Sequence, residues 1–151
     1  MSLPYENATS GNNAIQDMQK ALRSFGCQSF GHMLDYSTGE LLVQFEYRAR
    51  KVSVRANSNG YAVAWLREHP WSNRSRCTKA DHEQKAKAIA EIAIYSILRD
   101  WIKGQVTAVE TGILSFEAAF LAQILLPSGQ TVLEHVTTTK TLPAPVKESA
   151  Q

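Results

Sequence analysis

Only two cysteines, Cys27 and Cys77, occur in the 151 residues. That is too few for a disulfide framework, and two free thiols suit a reducing compartment. No apolar run approaches the roughly 20 residues that cross a bilayer. The opening MSLPYENATSGNN has neither the basic nor the apolar region of a secretory signal. A cytoplasmic protein with no membrane partner is therefore expected. The short patterns of common chemistries are also missing: there is no GxGxxG, no P-loop, no GxSxG and no HExxH. Asp100, Glu110 and Glu117 are scattered and have no histidine near them, so no acid–base pair is written into the sequence. The expectation is a non-enzyme without a cofactor.

What is present is an ordinary globular balance, 44% apolar and 20% charged residues, enough for one domain with a real core. The net charge is only +2, but it is unevenly spread. Residues 1–46 sum to −3 and residues 88–151 to −2, whereas residues 47–87 hold ten basic side chains against three acidic ones, a local +7. A segment this polarised attracts anions and steers their approach, unless its charges are simply a solvated face.

Periodicity supplies the architecture. Asn13 can cap a helix with Gln16 as the return partner, placing Ile15, Met18, Leu22 and Phe25 on one stripe, and Gly26 ends it. A weakly patterned stretch, CQSFGHML, leads to a turn at Asp35–Gly39. Leu41, Val43, Phe45 and Tyr47 then share one face of a strand over 40–48. A two-residue loop at Ala49-Arg50 would set Tyr47 opposite Val52, Phe45 opposite Val54 and Val43 opposite Ala56. Arg48, Lys51 and Arg55 would lie on the other face. Asn57-Ser58-Asn59-Gly60 reads as a second turn, and Tyr61, Val63 and Trp65 as a third strand of an antiparallel meander.

Thr78 and Asp81 form a capping box, after which strong helix formers run from Ala80 to about Lys103. Tyr95, Leu98, Trp101 and Ile102 make this helix apolar nearly all round, as suits a central core helix or a homodimer interface. Ser115 can cap a short helix closed by Pro127, and Thr131–Val136 reads as a last strand. The fold class is α+β: a three- to four-stranded antiparallel meander packed against a long C-terminal helix, with an N-terminal helix. Residues 1–12 are expected to be flexible, 13–136 to form the domain, and 137–151 to be a disordered tail.

The runs RSFGCQSFG, ELLVQFEYRARKVSVRA and SILRDWIKGQVTAVETGILSFEAAFLAQILLPSGQTVLEHV resemble a group of short uncharacterised proteins encoded by bacteriophages and mobile elements. The resemblance covers about residues 14–136. It implies nucleic-acid handling, or interference with a host protein or defence pathway, and brings no site residues with it. The order of helix, antiparallel strands and helix also resembles the double-stranded RNA-binding domain. In that family a lysine-rich helix start grips phosphates, and Lys79, Lys85 and Lys87 stand at the corresponding place. The chain departs from that family in lacking its Gly-Pro-x-His loop and its tight Lys-Lys-x-Ala-Lys cluster, and it reads as one strand too many.

The candidate site is a basic hairpin and the loop HPWSNRSRCTK: Arg48, Arg50, Lys51, Arg55, Arg67, Arg74, Arg76 and Lys79, with Trp71 among them. Arginine and lysine neutralise phosphates with release of counterions, and an exposed indole stacks on an unpaired base. The structural alternative is that the arginines protect a sheet edge and Trp71 covers the end of the core. The functional alternative is an oligomeric binding protein or inhibitor that uses the same guanidinium forks to hold a host protein or an anionic small molecule. Cys27 with His32 and Cys77 with His82 repeat the spacing C-x4-H. Zinc would need all four brought together, and this is not a usual finger pattern.

Overall fold

A computed structural model describes residues 2–146. Along the chain run α1 (Gly11–Phe25), β1 (Ser29–Asp35), β2 (Glu40–Tyr47), β3 (Arg50–Asn57), α2 (Asn59–Glu68) and α3 (Lys79–Glu110). They are followed by α4 (Phe116–Phe120), a single 3-10 turn (Leu121–Gln123) and α5 (Val132–Thr138). The fold is α+β, as the periodicity implied: one antiparallel sheet in the order β1-β2-β3, with α1 and the long α3 packed together. No helix among the described residues is long and apolar enough to cross a membrane.

Helix α1 is capped three residues before the expected Asn13, inside the segment read as flexible. Ser10 is the cap, its Oγ accepting from the Asn13 N–H at 3.2 Å. Gly26 ends the helix in the left-handed region, φ 108°, and its N–H closes on the carbonyls of Leu22 and Arg23. Ala14, Ile15, Met18 and Leu22 form the buried stripe.

The sheet has three strands, but not the three the sequence suggested. The weakly patterned stretch is β1: Phe30, His32 and Leu34 face Phe45, Val43 and Leu41. The signal was blurred because a histidine interrupts its apolar face while Met33 stands on the open one. Between β2 and β3 the two-residue loop is Arg48-Ala49, not Ala49-Arg50, so Phe45 faces Val52, Val43 faces Val54 and Leu41 faces Ala56. The pairing is displaced by an even number of positions, which keeps the apolar residues on the same face. It also puts Arg50 opposite Tyr47, in the apolar row.

The expected third strand is the helix α2. Asn57 Oδ1 accepts from the Asn59 N–H at 2.8 Å, and the Ala62 N–H reaches the Ser58 carbonyl at 3.0 Å, so the chain coils where a hairpin was read. Alternation of Tyr61, Val63 and Trp65 misled because Tyr61 and Trp65 are also one helical turn apart. Trp65 is buried on α2, away from the sheet face, while Val63 is exposed.

Thr78 caps α3 as expected, its Oγ1 accepting from the Asp81 N–H at 3.1 Å. The helix does not stop near Lys103 but passes Gly104 and continues to Glu110. Ile94, Leu98, Ile102 and Val106 enter the core with Met18 and Leu22 of α1 and with Val43, Phe45, Val52 and Val54 of the sheet. Phe120 of α4 is fully buried, edge-on to Phe45 at 5.4 Å and to Trp101 at 5.8 Å. Ile124 then bridges Val52 of β3. The expected last strand over 131–136 is instead α5: Thr131 Oγ1 accepts from the Glu134 N–H at 3.1 Å, a capping pattern that outweighs the β-branched residues after it. The helix extends into the expected tail; residues 147–151 lie outside the described residues.

Candidate nucleic-acid interface

The structure does not hold the sequence-adjacent cations together. The hairpin tip, with Arg48 and Arg50, shares a cleft with Val109 and Glu110 at the end of α3, whereas Lys79 begins that helix. Thirty residues of helix separate the two places by about 45 Å along its axis. The basic segment is therefore divided between the hairpin tip, the sheet and the start of α3.

On the open face of the sheet the charge is largely cancelled. Lys51 lies across from Glu46, and Arg55 Nη1 is 3.7 Å from Glu40 Oε1. The acidic N-terminal segment supplies those carboxylates, so the charge division along the chain is not a division in space. On the other face Arg50 Nη1 is 3.1 Å from Glu117 Oε1.

The end formed by α2, the connection 69–78 and the start of α3 differs. Arg67, Arg74, Arg76 and Lys79 are all exposed, and among the described residues none is ion-paired. The connection is pinned at several points. Trp71 Nε1 donates to the Cys77 carbonyl at 2.9 Å, leaving the half-buried indole in a fixed orientation. The Ser75 N–H reaches the Ser72 carbonyl at 3.0 Å. Trp65 stacks on His69, centroids 4.6 Å apart, and meets the tilted His82 ring at 5.0 Å, with Lys85 Nζ 6.0 Å from the Trp65 ring centre. His69 Nε2 also meets Glu6 Oε2 at 2.9 Å, which holds that carboxyl below its ordinary range. The positive end of the α3 dipole adds to the same surface.

This anchoring cluster of Glu6, Trp65, His69, His82 and Lys85 was not legible in the sequence, because its members come from the N-terminal segment, α2 and α3. Cys27, His32, Cys77 and His82 do not converge: among the described residues no three His, Cys, Asp or Glu side chains are placed to hold a metal ion. The girth of α3 is used inside the domain. Leu98 and Ile102 are core residues, Trp101 meets Phe120, and Tyr95 lies against Gly11. Arg99 bonds Asp100 at 3.0 Å and approaches Asp17 at 3.8 Å, a surface network.

The fold is that of a small α+β protein with exposed cations at its α2–α3 end. No family model matches the chain, and no curated protein or solved structure matches it significantly.

Proposed function

We propose that this chain is a non-enzymatic accessory protein, of the kind phages and mobile elements encode, that binds nucleic acid through its α2–α3 end. The observation that carries the reading is the set of four exposed cations, Arg67, Arg74, Arg76 and Lys79, unpaired among the described residues and carried by α2, the start of α3 and the connection whose Trp71 indole is tied to Cys77. Unpaired cations are free to exchange their counterions for phosphates. Trp71 offers a stacking surface beside them. The succession of α1, three antiparallel strands and α3 supports the likeness to the double-stranded RNA-binding domain, since the strand count is three. Helix α2 stands between β3 and the lysine-bearing helix as an addition to that order. Lys87 Nζ, 3.5 Å from the Tyr36 carbonyl, links the lysine-bearing turn of α3 to the β1–β2 turn on the same side.

The test is a titration with labelled single- and double-stranded RNA and DNA at low and at physiological salt, with Arg74→Ser/Arg76→Ser alongside. The expected result is binding that weakens steeply with salt, and a double variant that keeps its fold while its salt slope falls by about two. Absence of binding at low salt, or an unchanged slope in the variant, overturns the reading.

A further inference from the structure

At the other end of the molecule the hairpin tip forms a cleft of about 510 Å³, in the size range of a small-ligand site. Its floor is aromatic: Phe25 and Tyr47 stack at 4.3 Å, and Phe116 lies 4.9 Å from Tyr47. Its rim is charged. The Arg48 guanidinium lies 5.2 Å from the centre of the Tyr47 ring, and Arg50 and Glu117 complete the wall. A fourth charge, the carboxylate of Glu110, also lines it.

The turn that presents Arg48 is unusual. Both of its residues are in the left-handed region, Arg48 at φ 48° and Ala49 at φ 64°, a geometry that Asn-Gly adopts at far less cost. A side chain held in a disfavoured conformation over an open cleft points to use.

We infer that this cleft binds one nucleotide, with its base on the Phe25–Tyr47 stack and its phosphate on Arg48 and Arg50. A flat base extends an aromatic stack whatever its identity. Guanidinium forks match phosphate oxygens, and the half-exposed Arg50–Glu117 pair yields to a phosphate at little cost. The carboxylates of Glu110 and Glu117 favour a base edge that carries amino donors, which makes guanosine monophosphate the probe of choice. The nucleotide is either free or an unpaired residue of a strand. These residues are not those of the α2–α3 end, so either reading can fail alone.

The experiment follows backbone amides by NMR while the full chain is titrated with guanosine monophosphate, with ribose 5-phosphate, and with a duplex bearing a single-guanosine overhang or an abasic overhang. Shifts around Tyr47 with the mononucleotide, but not the sugar phosphate, support a free nucleotide. Shifts there with the guanosine overhang alone support a strand end. Arg48→Asn/Ala49→Gly writes the favoured turn sequence, so it is expected to melt at a higher temperature while binding about tenfold more weakly. Ala49→Gly alone is expected to be stabilised with binding intact. The inference fails if neither guanosine probe outcompetes its base-free counterpart, or if the Asn-Gly variant binds as tightly as the parent.

Discussion

Arg50 Nη1 and Glu117 Oε1, 3.1 Å apart, tie the hairpin tip to α4 across sixty-seven positions of sequence. Both side chains are 51% exposed, so solvent screens the pair strongly. A double-mutant cycle with Arg50→Ala and Glu117→Ala is expected to give a coupling of less than about 1 kcal/mol, shrinking further with salt. A coupling of several kcal/mol in denaturant melts would mean that the pair is a structural fastener.

Gly39 joins the β1–β2 turn to the start of α2. Its φ is +73°, and an added Cβ would stand 2.7 Å from Ser58 Oγ, with the Ser58 N–H already bonded to the Gly39 carbonyl at 3.0 Å. Gly39→Ala is expected to cost about 1–3 kcal/mol in urea unfolding. Ser58 Oγ is buried and has no hydrogen-bond partner among the described residues. Ser58→Ala is therefore expected to be neutral or mildly stabilising, by up to about 1 kcal/mol, because it removes a desolvated hydroxyl.

The N-terminal segment is held by groups whose protonation matters. Tyr5 donates to Asp100 Oδ2 at 2.7 Å, which lowers the Asp100 pKa and raises that of Tyr5. Hydrogen bonding to His69 lowers Glu6 likewise. For the two carboxyls the folded value lies below the unfolded one, so their contribution is present above the ordinary carboxylate range and lost as pH falls through the folded values. For Tyr5 the folded value lies above, so its contribution is lost as pH rises past the ordinary phenol range, about 10. Thermal midpoints are expected to fall at both extremes, and Tyr5→Phe to flatten the alkaline side. An alkaline limb unchanged in Tyr5→Phe would sink the assignment.

The two thiols are expected to differ in reactivity for a reason visible in the fold. Burial pushes the Cys27 thiol up to about 11, whereas Cys77 is exposed in the connection before α3. At pH 8 only about one Cys27 in a thousand is thiolate, the reacting form. Disulfide-exchange titration of the native protein should show one fast thiol, absent in Cys77→Ser. Two equally fast thiols would show that the α1–β1 junction opens readily.

Local chemistry made much of the fold legible. Thr78 and Ser115 announce their helices because each hydroxyl caps an N–H three residues on, and Gly26 ends α1 because its φ excludes most side chains. The errors fall where one pattern serves two structures. Tyr61, Val63 and Trp65 alternate like a strand yet turn like a helix. Thr131 looks β-prone until Glu134 is seen as its capping partner. The hairpin register slipped because Arg48-Ala49 carries no turn signal, although it occupies a turn geometry that normally demands one. For the site, the sequence shows which residues are cationic but not which are already paired, since Glu40 and Glu117 reach Arg55 and Arg50 only through the fold.

Helix α3 also sets a scale for any ligand that would touch both ends of the molecule. Its 32 residues hold the α2–α3 cations and the hairpin-tip arginines apart by a fixed span. That span, about 45 Å, corresponds to about 13 base pairs of B-form duplex. If both proposed sites take nucleic acid, oligonucleotides shorter than this would reach a single end, whereas longer ones would engage both and gain the avidity of a two-point clamp. The helix is in effect a ruler, and affinity plotted against oligonucleotide length should carry a step at its mark.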